Sequence, residues 1–176
     1  MTQQKSPSQA PGNARSPRDP AGYSSRTADK FVLRGPHSLF DAVAELGNTQ
    51  GRSVNSEIVQ AIQAKIAGRQ AARLTRQCLC ARLGDTKAAF ALAGIKPFDA
   101  QTGSETKKTV IRFPLGVREA IADAVDRARE AEGDSVTKNG WIVEALIWWV
   151  DVQRQTNALL GACIFEENNN ALGRAA

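Results

Sequence analysis

A chain of 176 residues can form one ordinary domain or two small ones. Its formal net charge of +5 comes mainly from residues 1–27, with four basic residues against one acidic, and from residues 69–106, with six against three. No apolar run spans a bilayer and no signal-peptide pattern is present, so we expect a cytoplasmic protein whose basic segments favour a polyanionic partner.

The first 27 residues are predicted to be a disordered basic arm. Pro11, Pro17 and Pro20 stand among Ser, Gln, Gly and Arg, with almost no large apolar side chain to bury. The conformational entropy lost on ordering this arm would therefore have no offset.

Residues 28–68 have the pattern of one strand followed by two helices. The stretch "KFVLRGP" (30–36) alternates and is ended by Pro36, which can open a helix. Ser53 is predicted to be the N-cap of the second helix. The apolar stripe of that helix recurs every four residues: Val54, Ile58, Ile62 and Ile66.

Residues 69–106 are predicted to be a partly helical connector, Arg-rich at its start ("RQAARLTRQCLCARL") and rich in turn formers at its end. Cys78, Cys80 and Cys163 lack the spacing of a zinc site, so we expect reduced thiols and no metal or other cofactor. The single histidine, His37, has no companion nucleophile or carboxylate arrangement, and we expect no enzymatic activity.

Residues 107–152 repeat the order strand, helix, helix. "KTVIRFP" (108–114) places Lys, Val and Arg at the same alternate positions as "KFVLRGP", 78 residues later. The longer turn "EGDSVTKNG" lets either Ser135 or Thr137 cap the last helix, and Thr137 is favoured because it would set Val136 against Trp141. Residues 153–176 are expected to be a C-terminal extension or tail that continues the helix briefly and then frays.

One such unit cannot close a core, whereas two can if their strands pair antiparallel. The predicted fold is mostly α: a two-stranded antiparallel ribbon over a four-helix layer, made by tandem strand-helix-helix modules. The inward residues would be Phe31, Leu33, Ile111 and Phe113. The outward residues would be Lys30, Val32 and Arg34 from one strand and Lys108, Val110 and Arg112 from the other.

Both copies resemble the ribbon-helix-helix DNA-binding family of the Arc and methionine repressors, the first through "FVLRGP" and "GRSVNSEI" (51–58). The resemblance implies that the six outward residues contact bases in the major groove of double-stranded DNA. It also implies phosphate contacts at the start of each second helix, by Ser53, Val54 and Asn55 and by Thr137, Lys138 and Asn139.

Two positions depart from the family pattern. The middle strand residues, Val32 and Val110, cannot form hydrogen bonds, although relatives usually carry a polar side chain there. Arg52 and Glu57 match two members of a buried ion network known in Arc, but Ala61 stands at the third position.

Two assemblies remain open. The strands can pair within the chain, giving a pseudo-dimer with a non-palindromic site, or between chains, giving a homodimer. We favour the intramolecular pair because Phe31 and Gly35 differ in size from Thr109 and Phe113 and can complement them. Trp148 and Trp149 are left over from the predicted core and indicate a second contact surface, for the connector or for a protein partner.

The predicted function is sequence-specific DNA binding by a bacterial or phage-encoded transcriptional repressor. The resemblance also admits an accessory role in DNA transfer by a mobile element. A scaffold that assembles proteins without DNA is the alternative from another class.

Overall fold

The computed structural model describes residues 29–100 and 105–174, so the arm predicted over residues 1–27 lies outside the described residues. The elements, in chain order, are β1 (Asp29–Pro36), α1 (His37–Thr49), α2 (Val54–Ile66), α3 (Gln70–Leu83), α4 (Asp85–Ala93), β2 (Thr106–Phe113), α5 (Val117–Glu132) and α6 (Lys138–Arg174). The structure is mostly helical with a two-stranded antiparallel sheet, as predicted.

The two strands pair with each other inside one chain. Val32 lies opposite Val110, Lys30 opposite Arg112 and Arg34 opposite Lys108. Of the two pairings considered from the sequence, the structure has the intramolecular one.

The main core lies between this ribbon and the helices. Leu33, Ile111 and Phe113 are fully buried, while Phe31 is half-buried with its ring centroid 5.8 Å from that of Phe113. Full burial of such a side chain contributes about 1.5–3 kcal/mol. A Cβ on Gly35 would meet Val143 at 3.4 Å and the Phe40 ring at 3.5 Å, so helices pack closely against this end of β1.

The helices that follow each strand carry their apolar stripes into the same core. On α2, Ile58 and Ile62 are fully buried, and Val54 and Ile66 pack at the margin. On α5, Val117, Ile121 and Val125 are buried, as the spacing predicts. α6 adds Trp141, Ile142, Ala145 and Leu146, the four residues expected to be core on this helix.

Both second helices begin with a side-chain cap. The Ser53 hydroxyl accepts a hydrogen bond from the Ser56 amide at 3.1 Å. At the start of α6, the Thr137 hydroxyl accepts one from the Gly140 amide at 3.0 Å, which selects Thr137 over Ser135. The two helix starts are therefore built in the same way.

The connector forms two helices. Gly68 and Arg69 both have positive φ, 68° and 63°, and this left-handed turn separates α3 from α2. α3 and α4 pack against the C-terminal half of α6, where Leu83, Ala88, Leu159 and Cys163 form a second buried cluster.

α6 extends over 37 residues, much further than the expected short extension before fraying. Packing against α3 and α4 stabilises this half of the helix, and ion pairs support it from Arg82 to Glu167 and from Lys87 to Glu166 at 2.6 Å. Within the described residues, no helix combines the length and apolar character that crossing a membrane requires.

The two tryptophans left over from the predicted core contact the chain itself. Trp149 is only 8% exposed and belongs to the main core. Trp148 is half-buried beneath the Arg69 guanidinium, 4.8 Å from its ring centroid, and lines a cleft beside Ala72, Arg73 and Arg76 of α3. Of the two contacts predicted for these tryptophans, the structure shows the one with the connector, through Trp148. The prediction of a partner surface that includes Trp149 is wrong, because that ring is buried.

Candidate nucleic-acid interface

The solvent-facing side of the ribbon carries the six residues expected to contact bases. Lys30, Arg34, Lys108 and Arg112 are all exposed. Between them, Val32 is 49% exposed and Val110 is 53% exposed. We call this set the outward face: Lys30, Val32, Arg34, Lys108, Val110 and Arg112.

Each end of the outward face places two cations directly opposite one another. Lys30 is the cross-strand partner of Arg112, and Arg34 is the cross-strand partner of Lys108. Like charges at such positions destabilise a sheet. Among the side chains that the structure describes, no carboxylate forms an ion pair with any of these four cations, which are exposed to solvent.

Two asparagines fasten the second helices to the ribbon. The Asn55 side chain accepts a hydrogen bond from the Arg112 amide at 2.7 Å and donates one to the Arg112 carbonyl at 3.0 Å. The Asn139 side chain makes the same pair of bonds with Arg34, both at 2.8 Å. Each of these two helices, α2 and α6, is thus hydrogen-bonded to the strand of the other strand-helix-helix unit.

These bonds fix where the helix starts lie. The N-terminus of α2 sits beside Arg112 and the N-terminus of α6 sits beside Arg34, at opposite ends of the ribbon. The first amides of a helix have no acceptor within the helix, and the helix dipole makes this end attractive to anions. Ser53 and Thr137 are exposed, and Val54, Asn55, Lys138 and Asn139 are half-exposed.

The role of the asparagine side chains was missed from the sequence. Each side-chain amide donates one hydrogen bond to the strand backbone and accepts another from it, so both asparagines are engaged in holding the ribbon. A signal was present, because both asparagines stand two residues after the capping residue in "SVN" and "TKN".

Arg118 of α5 secures the N-terminal end of β1. Its guanidinium pairs with the Asp29 carboxylate, donates to the Lys30 carbonyl at 2.8 Å and lies 5.9 Å from the centre of the Phe31 ring. The hydrogen bond from Arg118 holds the pKa of Asp29 below its usual value. The single acid on this strand is thus engaged by Arg118 rather than by the cations of the outward face.

A buried carboxylate lies under the start of α2. Glu57 is fully buried, with one oxygen 2.7 Å from Arg52 Nε and the other accepting a 2.6 Å hydrogen bond from the Trp149 indole. The sequence identified Arg52 and Glu57 and noted Ala61 at the third family position. The structure places Trp149 of α6 as the third partner instead.

The described residues contain no group of three or more His, Cys, Asp and Glu side chains arranged to hold a metal ion. Cys78 is exposed, Cys80 is half-buried and Cys163 is buried, and all three are free thiols.

Comparison with known proteins finds matches to the first strand-helix-helix unit. Residues 25–69 match the Arc-like DNA binding domain family, a segment that includes β1, α1 and α2. Transcription factor AmrZ of Pseudomonas ogarae is 49% identical over 41 residues, which are 23% of this chain and 38% of AmrZ. The chain therefore covers less than two-fifths of that relative's length, and no solved structure matches. Residues 25–69 are thus similar to the Arc-like DNA binding domain family, and within that segment the described residues form β1, α1 and α2.

Proposed function

We propose that this protein is a sequence-specific double-stranded DNA-binding regulator, and that it represses transcription by occupying its site. The observation that carries the proposal is the outward face, where four exposed cations stand in two like-charge pairs and form no ion pair with an acid that the structure describes. DNA phosphates would relieve this repulsion. A two-stranded ribbon also fits the major groove of B-DNA.

The side chains of the outward face have distinct roles in this proposal. Arg34 and Arg112 are suited to guanine, since a guanidinium can donate to both O6 and N7. Lys30 and Lys108 donate as point charges beside them. Val32 and Val110 form no hydrogen bonds and can contact a thymine methyl group.

The helix starts would hold the DNA backbone on either side of the ribbon. The proposed phosphate contacts come from the backbone at Ser53, Val54 and Asn55 and at Thr137, Lys138 and Asn139. Such contacts fix the orientation of the protein but carry no sequence information. The asparagine bonds to the strands would keep both helix starts in register with the outward face.

The proposal gives the second strand-helix-helix unit the same DNA-contacting role as the first. The second unit lies outside the family match, yet it presents the same outward residue types, the same kind of cap and the same asparagine bond. A protein that fills the major groove can repress by excluding other proteins, which requires no further contact surface. The matched relative is named a transcription factor, in keeping with a regulatory role.

The test is selection of bound duplexes from a random library, followed by affinity measurements at fixed salt. The wild-type chain should enrich a motif, and the double variant Arg34→Ala, Arg112→Ala should lose about 1–3 kcal/mol per lost guanine contact on it. The matched control is Arg73→Ala, Arg76→Ala, which removes the same charge from two exposed arginines of α3.

The control variant should keep the motif. If the wild-type chain enriches nothing, or if the variant Arg34→Ala, Arg112→Ala enriches the wild-type motif unchanged, base reading by the ribbon is refuted. A chain that binds no DNA would favour a protein scaffold.

A further inference from the structure

We infer that the single chain reads a two-fold symmetric DNA site, an inverted repeat centred beneath Val32 and Val110. This inference rests on the proposed function and specifies the class of DNA recognised. It differs from the non-palindromic site that a pseudo-dimer of unlike halves would lead one to expect.

The register of the ribbon carries the inference. A two-fold axis through the Val32–Val110 pair exchanges Lys30 with Lys108 and Arg34 with Arg112, because the strands are antiparallel. Each residue of the outward face is therefore exchanged with a residue of the same type. The chain is asymmetric, but the surface offered to the bases is symmetric.

The supports of that surface obey the same symmetry. Asn55 holds Arg112, and Asn139 holds Arg34, through the same pair of main-chain hydrogen bonds. The two arginines are thus presented by equivalent backbone geometry at the two ends of the ribbon.

The core face of the ribbon does not share this symmetry. The axis would exchange Phe31 with Thr109 and Gly35 with Phe113, pairs that differ greatly in size. On the inside only the central exchanged pair, Leu33 and Ile111, is alike in size, whereas on the outside all three exchanged pairs are identical in residue type. Packing of the core does not explain why residues of identical type are confined to the solvent side of the ribbon.

The same register sets the layout of the site. Each end of the ribbon combines the arginine of one strand with the lysine of the other, so each half-site is contacted by both units. Four residues separate the two ends, about 14 Å along a strand, which corresponds to about four base pairs. We expect guanine-containing half-sites at this spacing around a centre read only by valine methyl groups.

The experiment compares motifs selected from a random duplex library by the wild-type chain and by the single variants Arg34→Ala and Arg112→Ala. The wild-type motif should be an inverted repeat. Each single variant should keep one half-site and relax the other. Because the halves are equivalent, the two variants should yield the same half-degenerate motif when one is read as its reverse complement.

Lys107→Ala is the matched control, since Lys107 is an exposed cation of β2 that alternates away from the outward face. It should leave the motif symmetric. Both arginine substitutions preserve the asparagine bonds, which reach only the main chain, and unchanged thermal unfolding would confirm that the variants are folded.

A wild-type motif without two-fold symmetry, or two unrelated motifs from the two variants, would overturn the symmetric reading while leaving the proposed function standing. Failure of the wild-type chain to enrich any motif would instead refute the proposed function.

Discussion

Glu57 shows at the scale of one residue how the two units of this chain are joined. A buried carboxylate is costly unless its lone pairs are satisfied. Here Arg52, five residues earlier, contacts one oxygen and Trp149, from the last helix, donates to the other. A polar contact inside the core therefore specifies how α6 packs against α2.

The substitution Trp149→Phe should destabilise the protein by about 1–3 kcal/mol, because it leaves one oxygen of a buried carboxylate without its donor. The free energy of unfolding from urea denaturation measures this loss. Trp148→Phe is the matched control, since it removes the same ring from the neighbouring, half-buried residue and should cost less. Equal losses in the two variants would show that the Glu57 bond contributes nothing specific.

At the scale of elements, α6 links the ribbon to the connector. Its first turn caps the ribbon through Asn139, its middle enters the main core, and its second half packs on α3 and α4. Glu144 lies on α6 between Asn139 and the buried middle of the helix. Its carboxylate is 2.8 Å from Lys65 Nζ at the end of α2 and 3.0 Å from the Arg69 guanidinium at the left-handed turn. This cluster fixes the point where the connector leaves the first unit.

The cluster predicts a dependence of stability on pH. Burial would raise the pKa of Glu144, but the hydrogen bonds and charges of Lys65 and Arg69 outweigh it and the pKa is lowered. A lowered folded-state pKa contributes stability above the unfolded value of about 4.3, and that stability is lost as pH falls through the folded value. Since Glu144 is largely exposed, the contribution should be below about 1 kcal/mol.

The measurement is unfolding of Glu144→Gln against wild type from pH 7 to strongly acidic pH. The variant should be less stable at neutral pH, and the difference should shrink once the wild-type carboxylate is protonated. Glu45→Gln, at an exposed glutamate of α1, should show a smaller change. A difference that stays constant across the whole pH range would contradict the assignment.

At the scale of the whole molecule, one chain supplies both strands of the ribbon and the helices on both sides. Pairing within the chain makes ribbon formation an intramolecular step. Stability should then be independent of protein concentration, unlike that of an obligate dimer.

Thermal unfolding at concentrations differing about a hundredfold tests this expectation, because mass action raises the unfolding midpoint of a dimer as concentration rises. The midpoint should stay constant for this protein. A midpoint that rises with concentration would mean that the strands pair between chains, as in the homodimer alternative.

Local pattern was sufficient for the elements and for the outward face. Alternation in the two strands placed Leu33 and Ile111 inside and Arg34 and Arg112 outside, because side chains on a strand alternate between its faces. The cap at Thr137 was also favoured correctly, since hydroxyl capping is a local interaction. The segment 153–176 was expected to continue the helix only briefly and then fray, whereas α6 extends to Arg174, because helix length there depends on partners distant in sequence.

By itself, then, the amino-acid sequence determined the strand-helix-helix order, the cationic side of the ribbon and the helix starts, all of which follow from interactions between near neighbours in the chain. Only the tertiary structure decided that β1 pairs with β2, that Asn55 and Asn139 each hold the opposite strand, and that Trp149 completes the Glu57 site. These contacts join residues about 57 to 105 positions apart. The packing of the whole chain around one core selects them, and no periodicity along the sequence encodes that packing.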